Sequence, residues 1–264
     1  MIRILFVADV VGKRGVKTAV QALEQLRRAG VDPDYCFANG ENLKNGRGLD
    51  RGLAAQLFDN GIDALTTGNH VWDRQSDNDL LGDARVLRPA NYPDGLPGHG
   101  WWIYQKQGRA PVALINLQGR TFLFAIDCPF RTADRILADP AIQSCPVRVV
   151  DVHAEATAEK QALGWYLDGR VSAVIGTHTH VQTADERILD QGTGYITDVG
   201  MTGSHGGVIG TEKWVSIRRF LRQTPEPVQL ARGYEIFHAV LLEVDESSGR
   251  CVTIRRIREP VQLP

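Results

Sequence analysis

Gly68-Asn69-His70 and Gly176-Thr177-His178-Thr179-His180 each stand where an apolar run ends. An amide oxygen, an imidazole free to donate a proton, and two imidazoles one residue apart are the parts of a two-metal phosphoester hydrolase. The His178/His180 pair carries the most weight. Imidazoles at i and i+2 on a loop leaving a strand can address two ions, or two faces of one ion. Gly68 and Gly176 have no side chain, so the backbone can approach such a site closely.

Other polar residues share that placement. Asp9 follows Ile4-Leu5-Phe6-Val7-Ala8, Glu41 and Asn42 follow Phe37-Ala38-Asn39-Gly40, and His153 follows Val149-Val150-Asp151-Val152. In layered α/β proteins ligands bind beyond the carboxyl ends of the strands, so these side chains are expected to converge there. Taken singly, each has an ordinary explanation. Asp9 suits a helix cap or turn ahead of Gly12, Glu41 and Asn42 suit a turn, and His153 suits a plain strand end. Only their joint recurrence at strand ends points to one site.

The elements that must position them read as follows. Apolar runs of strand length alternate with helical patterns, as in βαβ units around a central sheet. Ile2 to Ala8 reads as a buried strand. Val16, Ala19, Val20, Leu23 and Leu26 recur at helical spacing, with Gly30 where a C-terminal cap belongs. Tyr35 to Ala38 reads as a strand, Leu53 to Asn60 as a helix closed by Gly61, and Ile62 to Thr66 as a third strand. Beyond Asp73, Pro89, Pro93 and Pro97 mark an extended, turn-rich crossing. Trp101 to Gln105 and Val112 to Leu117 read as a hairpin. Arg148 to Val152 is an expected strand, Thr157 to Leu167 a helix capped by Thr157, and Val171 to Gly176 a strand. Tyr195 to Asp198 is expected as a short strand before a glycine-rich loop, Gly203 to Gly210. Phe237 to Val244 and Cys251 to Ile257 read as a closing hairpin. No internal repeat or low-complexity segment appears, so residues 1–264 are expected to form one domain.

With 264 residues and 43% hydrophobic content, the chain can bury a substantial core. A net charge of -1 gives no global basic field, so tight binding to nucleic-acid backbones is not implied, although a local basic groove is compatible with it. Cys36, Cys128, Cys145 and Cys251 are widely spaced, without finger-like pairs, as expected of free thiols in a reducing compartment. No signal-like or membrane-spanning run appears, and a cytoplasmic location is expected.

Further features bear on function less directly. Gly12 to Thr18 glances at a phosphate-binding P-loop, but Val16 precedes Lys17 where a Gly-Lys-Ser/Thr ending is required. The Gly203 to Gly210 loop suits either backbone contacts to a phosphate or a mobile surface loop, with His205 and Gly206 as candidate substrate contacts. Glu155 suits either orientation of a ligand histidine or the start of the next helix. Trp101 and Trp102 alternate on a strand, so one at most belongs to the core. Arg255, Arg256 and Arg258 read as a solvated strand edge.

Asp9, Gly68-Asn69-His70 and Gly176-Thr177-His178-Thr179-His180 resemble the calcineurin-like metallophosphoesterases. Phe6-Val7-Ala8-Asp9-Val10-Val11-Gly12, Asn39-Gly40-Glu41-Asn42 and the segment from Asp151 to Lys160 resemble the YmdB-type branch, bacterial phosphodiesterases of cyclic nucleotides. The resemblance implies a layered α/β sandwich with central mixed sheets flanked by helices, and a homo-oligomer. Two positions depart from the wider superfamily. Val11 replaces the histidine of its Asp-x-His motif, and Gly40-Glu41-Asn42 replaces its Gly-Asp; the YmdB-type branch implies Glu41 and Asn42 as the substitute ligands.

The expected centre then has Glu41 bridging two divalent ions. Asp9, Asn42 and His180 complete one site, and Asn69, His153 and His178 the other. A shared hydroxide attacks phosphorus, and His70 protonates the leaving oxygen. Mixed oxygen and nitrogen ligands suit manganese or iron, with zinc also compatible. The expected substrate is a small phosphodiester such as a 2',3'- or 3',5'-cyclic nucleotide. A phosphomonoesterase or nuclease with the same ions is the rival enzyme. A slow regulatory sensor of nucleotide or RNA is the rival of another class, and His70 argues against it.

Overall fold

The computed structural model describes residues 1–73 and 75–263, with backbone alone for 75–78. In chain order come β1 (Ile2–Val7), β2 (Asp9–Val10), α1 (Gly12–Arg28), β3 (Tyr35–Asn39), α2 (Arg51–Asp59) and β4 (Ala64–Thr66). After a 3-10 turn at Gln75–Gly82 follow β5 (Trp101–Tyr104), β6 (Val112–Gln118), α3 (Pro129–Leu137), α4 (Pro140–Ser144), β7 (Val147–His153) and α5 (Thr157–Leu167). Then come β8 (Ala173–Thr177), β9 (Arg187–Ile188), β10 (Gly194–Ile196), β11 (Met201–Ser204), β12 (Gly207–Val208) and β13 (Thr211–Glu212). The last elements are α6 (Lys213–Arg222), β14 (Glu235–Val244) and β15 (Cys251–Pro260).

A seven-stranded sheet in the order β2-β11-β14-β1-β3-β4, with β15 beside β14, faces a six-stranded sheet in the order β5-β6-β7-β8-β10-β9. Alternation along the strands explains the layering. Ile2, Ile4 and Phe6 of β1 meet Val112, Leu114, Val147 and Val149 of the second sheet in one buried layer. Leu5 and Val7 point the other way, to Val16, Ala19 and Leu23 of α1 and Leu53 and Leu57 of α2. In the second sheet Ala113, Ile115 and Leu117 turn outward onto α3, α4 and α5. The result is a four-layer α/β/β/α sandwich, in which each fully buried leucine or isoleucine contributes about 1.5–3 kcal/mol. β1, β3 and β4 run parallel, as do β6, β7, β8 and β10. Their carboxyl ends, and the loops that leave them, therefore gather on common edges.

The central layering, the long helices and both hairpins agree with the expected pattern. The differences are local. Thr157 is the first helical residue and not the cap; Ala156 occupies the cap position without a side-chain bond. The stretch expected as a glycine-rich loop holds the end of β11 and β12, which pairs antiparallel with β13 just beyond it. Gly206 and Gly207 are used there for close approach to the backbone of Arg232 and Thr211. Helices α3, α4 and α6 have no counterpart in the expected pattern. α3 is short and begins at Pro129, and α6 carries Trp214, Ile217 and Leu221 at helical spacing but keeps them exposed. Trp101 packs on the outer core of the second sheet, whereas Trp102 is exposed. All four cysteines are free.

Candidate metal centre

Asp9 opens β2 immediately beyond β1, and Glu41 and Asn42 leave the end of β3. Asn69 follows β4, His153 closes β7, and His178 and His180 follow β8. The two sheets bring all of them to one place. His178 N–H donates to Asp9 Oδ2 at 3.1 Å, His153 Nε2 lies 3.0 Å from Glu41 Oε1, and Asn42 Nδ2 lies 3.2 Å from His180 Nε2. His70 joins through its backbone, donating to Glu41 Oε2 at 3.2 Å.

The three histidines are held alike. Each has its outward ring nitrogen on an acceptor. For His153 this is Nδ1 on Thr177 Oγ1 at 2.9 Å, and the Thr177 hydroxyl donates in turn to Asp151 at 2.7 Å. For His178 it is Nε2 on Glu155 Oε2 at 3.0 Å. For His180 it is Nδ1 on the Ile209 carbonyl at 3.1 Å. These partners place the ring hydrogen outside and leave the inner nitrogen as a lone pair, the tautomer a metal ligand needs.

The inner atoms crowd together. Glu41 Oε1 at 3.0 Å, Asn69 Oδ1 at 3.1 Å and His178 Nδ1 at 3.0 Å all face the single atom His153 Nε2. One nitrogen carries at most one hydrogen, so convergent acceptors of this kind call for a cation. Glu41, His153 and His178 offer ligand atoms all within 4.8 Å of one another. Asp9 Oδ1 is buried without any hydrogen-bond partner. The donor set therefore fits divalent ions.

The electrostatics describe the same demand. Burial drives the Asp9 carboxyl well above the usual range, against the pull of His153. Burial also opposes ionisation of Glu41, but the His153 imidazole beside it holds its carboxyl at about 2. His153 itself is disfavoured as a cation by burial, yet Glu41 brings it up to about 9. A proton on His153 thus stands where a cation would. Burial and the neighbouring His153 bring His178 down to about 3, and burial likewise lowers His180.

A surrounding layer of residues fixes this geometry. Asp151, buried inside β7, accepts from Thr66 Oγ1 at 2.5 Å, Thr177 Oγ1 at 2.7 Å and Asn39 Nδ2 at 3.2 Å, and burial raises its carboxyl to about 6. Asp198 accepts from Lys160 Nζ at 2.7 Å, Thr179 N–H at 3.0 Å and Thr179 Oγ1 at 2.6 Å. That grip lies between His178 and His180, whose φ angles are +98° and +65°. Such angles are uncommon for residues with a side chain and need outside support. His70 Nδ1 lies 2.9 Å from Asp73 Oδ2, which orients the ring with Nε2 on the Asn69 side. Asp73, Asp151, Lys160 and Asp198 do not stand out in the sequence. A charged residue inside an apolar strand, as in Val149-Val150-Asp151-Val152, is the one local signal available. Glu155 lies ahead of α5 and meets His178, which resolves its two readings toward orientation of the histidine.

The glycines divide. A Cβ on Gly68 would lie inside the His153 ring, so this residue does permit the close approach expected of it. A Cβ on Gly176 would collide with the Thr197 carbonyl, so that residue serves contact between neighbouring strands. His205 and Gly206 are not brought to the cage. His205 Nε2 lies 3.1 Å from the Met201 carbonyl with its ring 5.0 Å from that of His238, and Gly206 lines a groove next to the cleft.

A paired-sheet sandwich with a carboxylate, amide and histidine cage at its strand ends defines the metallophosphoesterase class. Within that class the chain belongs to the YmdB-like protein family, whose model matches residues 5–257. A Bacillus subtilis (strain 168) relative, the 2',3'-cyclic-nucleotide 2'-phosphodiesterase, is 45% identical over 256 residues, covering 97% of this chain and 96% of the relative. A Thermus thermophilus protein, solved as a hypothetical protein, superposes with a TM-score of 0.91 at 41% identity, covering 98% of this chain and 99% of its own. A protein of Mycoplasma pneumoniae, solved as a novel phosphatase, also superposes with a TM-score of 0.91 at 31% identity, covering 98% of this chain and 93% of its own.

Proposed function

We propose that this chain is a metal-dependent phosphodiesterase of small phosphodiesters, cyclic nucleotides above all. The observation that carries the reading is the common arrangement of His153, His178 and His180, each with its outer nitrogen on an acceptor and its inner nitrogen turned into the cage, that of His153 toward Glu41 Oε1 and Asn69 Oδ1, that of His178 toward His153 Nε2 and that of His180 toward Asn42. The name of the Bacillus subtilis relative supports 2',3'-cyclic nucleotides as the substrate class.

Asp9, Asn42 and His180 would hold one divalent ion and Asn69, His153 and His178 the other, with Glu41 shared. Manganese or iron suits this mixed donor set. When bound, such ions lower the pKa of water and offset charge on phosphoryl oxygens. The chain's own residues do the rest. Asp151, through Thr177, holds His153 in its ligand tautomer, and Glu155 does so for His178. His70 is the proton donor to the departing oxygen through Nε2, with its other nitrogen held by Asp73. Val11, Ile209 and Leu230 form an apolar part of the lining of the cleft above, which has a volume of about 250 Å³.

Self-association belongs to the same proposal: Trp214, Ile217, Phe220 and Leu221 leave several apolar side chains exposed along α6, as expected of an association surface. Replacing Glu41 or Asn69 by Ala is expected to lower manganese-dependent hydrolysis of bis(p-nitrophenyl) phosphate and of 2',3'-cyclic nucleotides at least 100-fold, with circular dichroism unchanged. Full activity in either variant sinks the assignment.

A further inference from the structure

The cleft over the cage adjoins a wider groove of about 1080 Å³, and Arg47, Val228 and Leu230 line both. On a chain of net charge -1 this groove gathers Lys13, Arg14, Arg47, Lys213 and Arg232. Arg14 pairs with Glu235 through Nε at 2.7 Å. Glu212, the carboxylate in the lining, is occupied in capping α6, accepting from Val215 N–H at 2.9 Å. Among the described residues Lys13, Arg47 and Arg232 have no carboxylate partner, and Lys213 has only the adjacent Glu212. The first turn of α1, which supplies Lys13 and Arg14, contains no acidic residue and no side-chain cap, so its helix dipole adds to the positive field. Trp214, beside Lys213, is 57% exposed, and Tyr234, two residues beyond Arg232, is 83% exposed. Cations gathered in a groove are the means by which proteins track a single-stranded backbone, and exposed aromatic rings, such as these two close in the chain to lining residues, are the means by which they stack its bases.

We infer that this groove binds single-stranded RNA and presents its 3'-terminal phosphodiester to the cleft. The inference rests on the phosphodiesterase reading of the cleft. A 2',3'-cyclic end forms when a ribose 2'-hydroxyl attacks the adjacent phosphodiester, so the reaction class that supplies the substrate is RNA transesterification. In the cleft the oxygen of water bonds to phosphorus and one ester P–O bond of the ring breaks. The second proton of that water ends on the released ribose oxygen, leaving a terminal phosphomonoester. The groove would hold the upstream phosphates, which a mononucleotide lacks.

The test uses the full-length, manganese-loaded protein and a 5'-fluorescein RNA decamer ending in a 3'-phosphate, with binding read by fluorescence anisotropy. The decamer is expected to bind at least tenfold more tightly than a labelled mononucleotide. The K13A/K213A/R232A variant should lose at least tenfold of that affinity, and the slope of log K against log salt should fall by about 2, since each phosphate contact to a single strand contributes about 0.7. Its hydrolysis of bis(p-nitrophenyl) phosphate should equal that of the parent. Equal binding of decamer and mononucleotide, unchanged binding by the variant, or competition by poly-glutamate as strong as that by RNA would each overturn the inference. Decamer binding by a manganese-loaded protein that does not hydrolyse bis(p-nitrophenyl) phosphate would instead count against the catalytic reading alone.

Discussion

His153 Nε2 faces Glu41, Asn69 and His178 at about the same distance, and that crowding depends on the absence of a side chain at residue 68. Gly68 does not have a positive φ, so the backbone itself would accept alanine there. What excludes alanine is the His153 ring. Gly68→Ala is therefore expected to push the imidazole out of line, with a stability cost of about 1–3 kcal/mol typical of overpacking. Because misplacement of a reacting group by about 1 Å can cost about 100-fold in rate, turnover should fall by that order while the protein stays folded. Thermal melting and kcat, measured together, check both halves. The polar residues at the strand ends, Asp9, Glu41, Asn69, His153 and His178, are legible because each follows an unmistakable apolar run. Asp151 and Asp198 are not, because what makes them matter is a partner brought near only by folding: Asp151 reaches Thr66, and Asp198 reaches Lys160.

The loop after β8 would not hold its shape alone. His178 and His180 both have positive φ, and Thr179 between them is gripped by Asp198 through its amide and its hydroxyl. Asp198 follows β10 and Lys160 lies on α5, so one buried ion pair connects strand end, helix and histidine loop. Hydrogen bonds to a charged group contribute about 1.5–3 kcal/mol, enough to set the position of a short loop. Thr179→Val keeps the shape and loses the hydroxyl, and should raise the manganese concentration for half-maximal activity about tenfold; Thr179→Ser should behave like the parent. Equal behaviour of the two variants would show that the hydroxyl has no part in holding the loop. Regular elements are readable from periodicity where one face is apolar, as in α1 and the paired β14 and β15. At α6 the helical spacing of Trp214, Ile217 and Leu221 marks a face that the fold leaves exposed, and β12 and β13 are too short to show alternation.

At the scale of the molecule, the cage is where the edges of two sheets meet. Asp9, Glu41 and Asn69 come from one sheet and His153, His178 and His180 from the other. Ions seated there would tie the sheets together, and ligands that bind only the folded state stabilise it by mass action. Manganese at 100 times its dissociation constant is thus expected to add about 2.7 kcal/mol, seen as a rise of several degrees in Tm that excess EDTA reverses. An unchanged Tm over the full manganese titration would contradict a cage shared between the sheets. Asp9→Ala should abolish the manganese-dependent increment, because its buried Oδ1 has no other partner.

Sequence by itself determined which residues stand at strand ends and that their types suit ion binding, because strand length, apolar runs and glycine placement are local properties. Tertiary structure alone decided which of those ends face one another. Packing of one sheet on the other sets Glu41 against His153 and Asp9 against His178, whereas it leaves His205 beside His238 and away from the cage. Such pairings depend on sheet order and on the buried layer between the sheets, and neither is written in the spacing of any single segment.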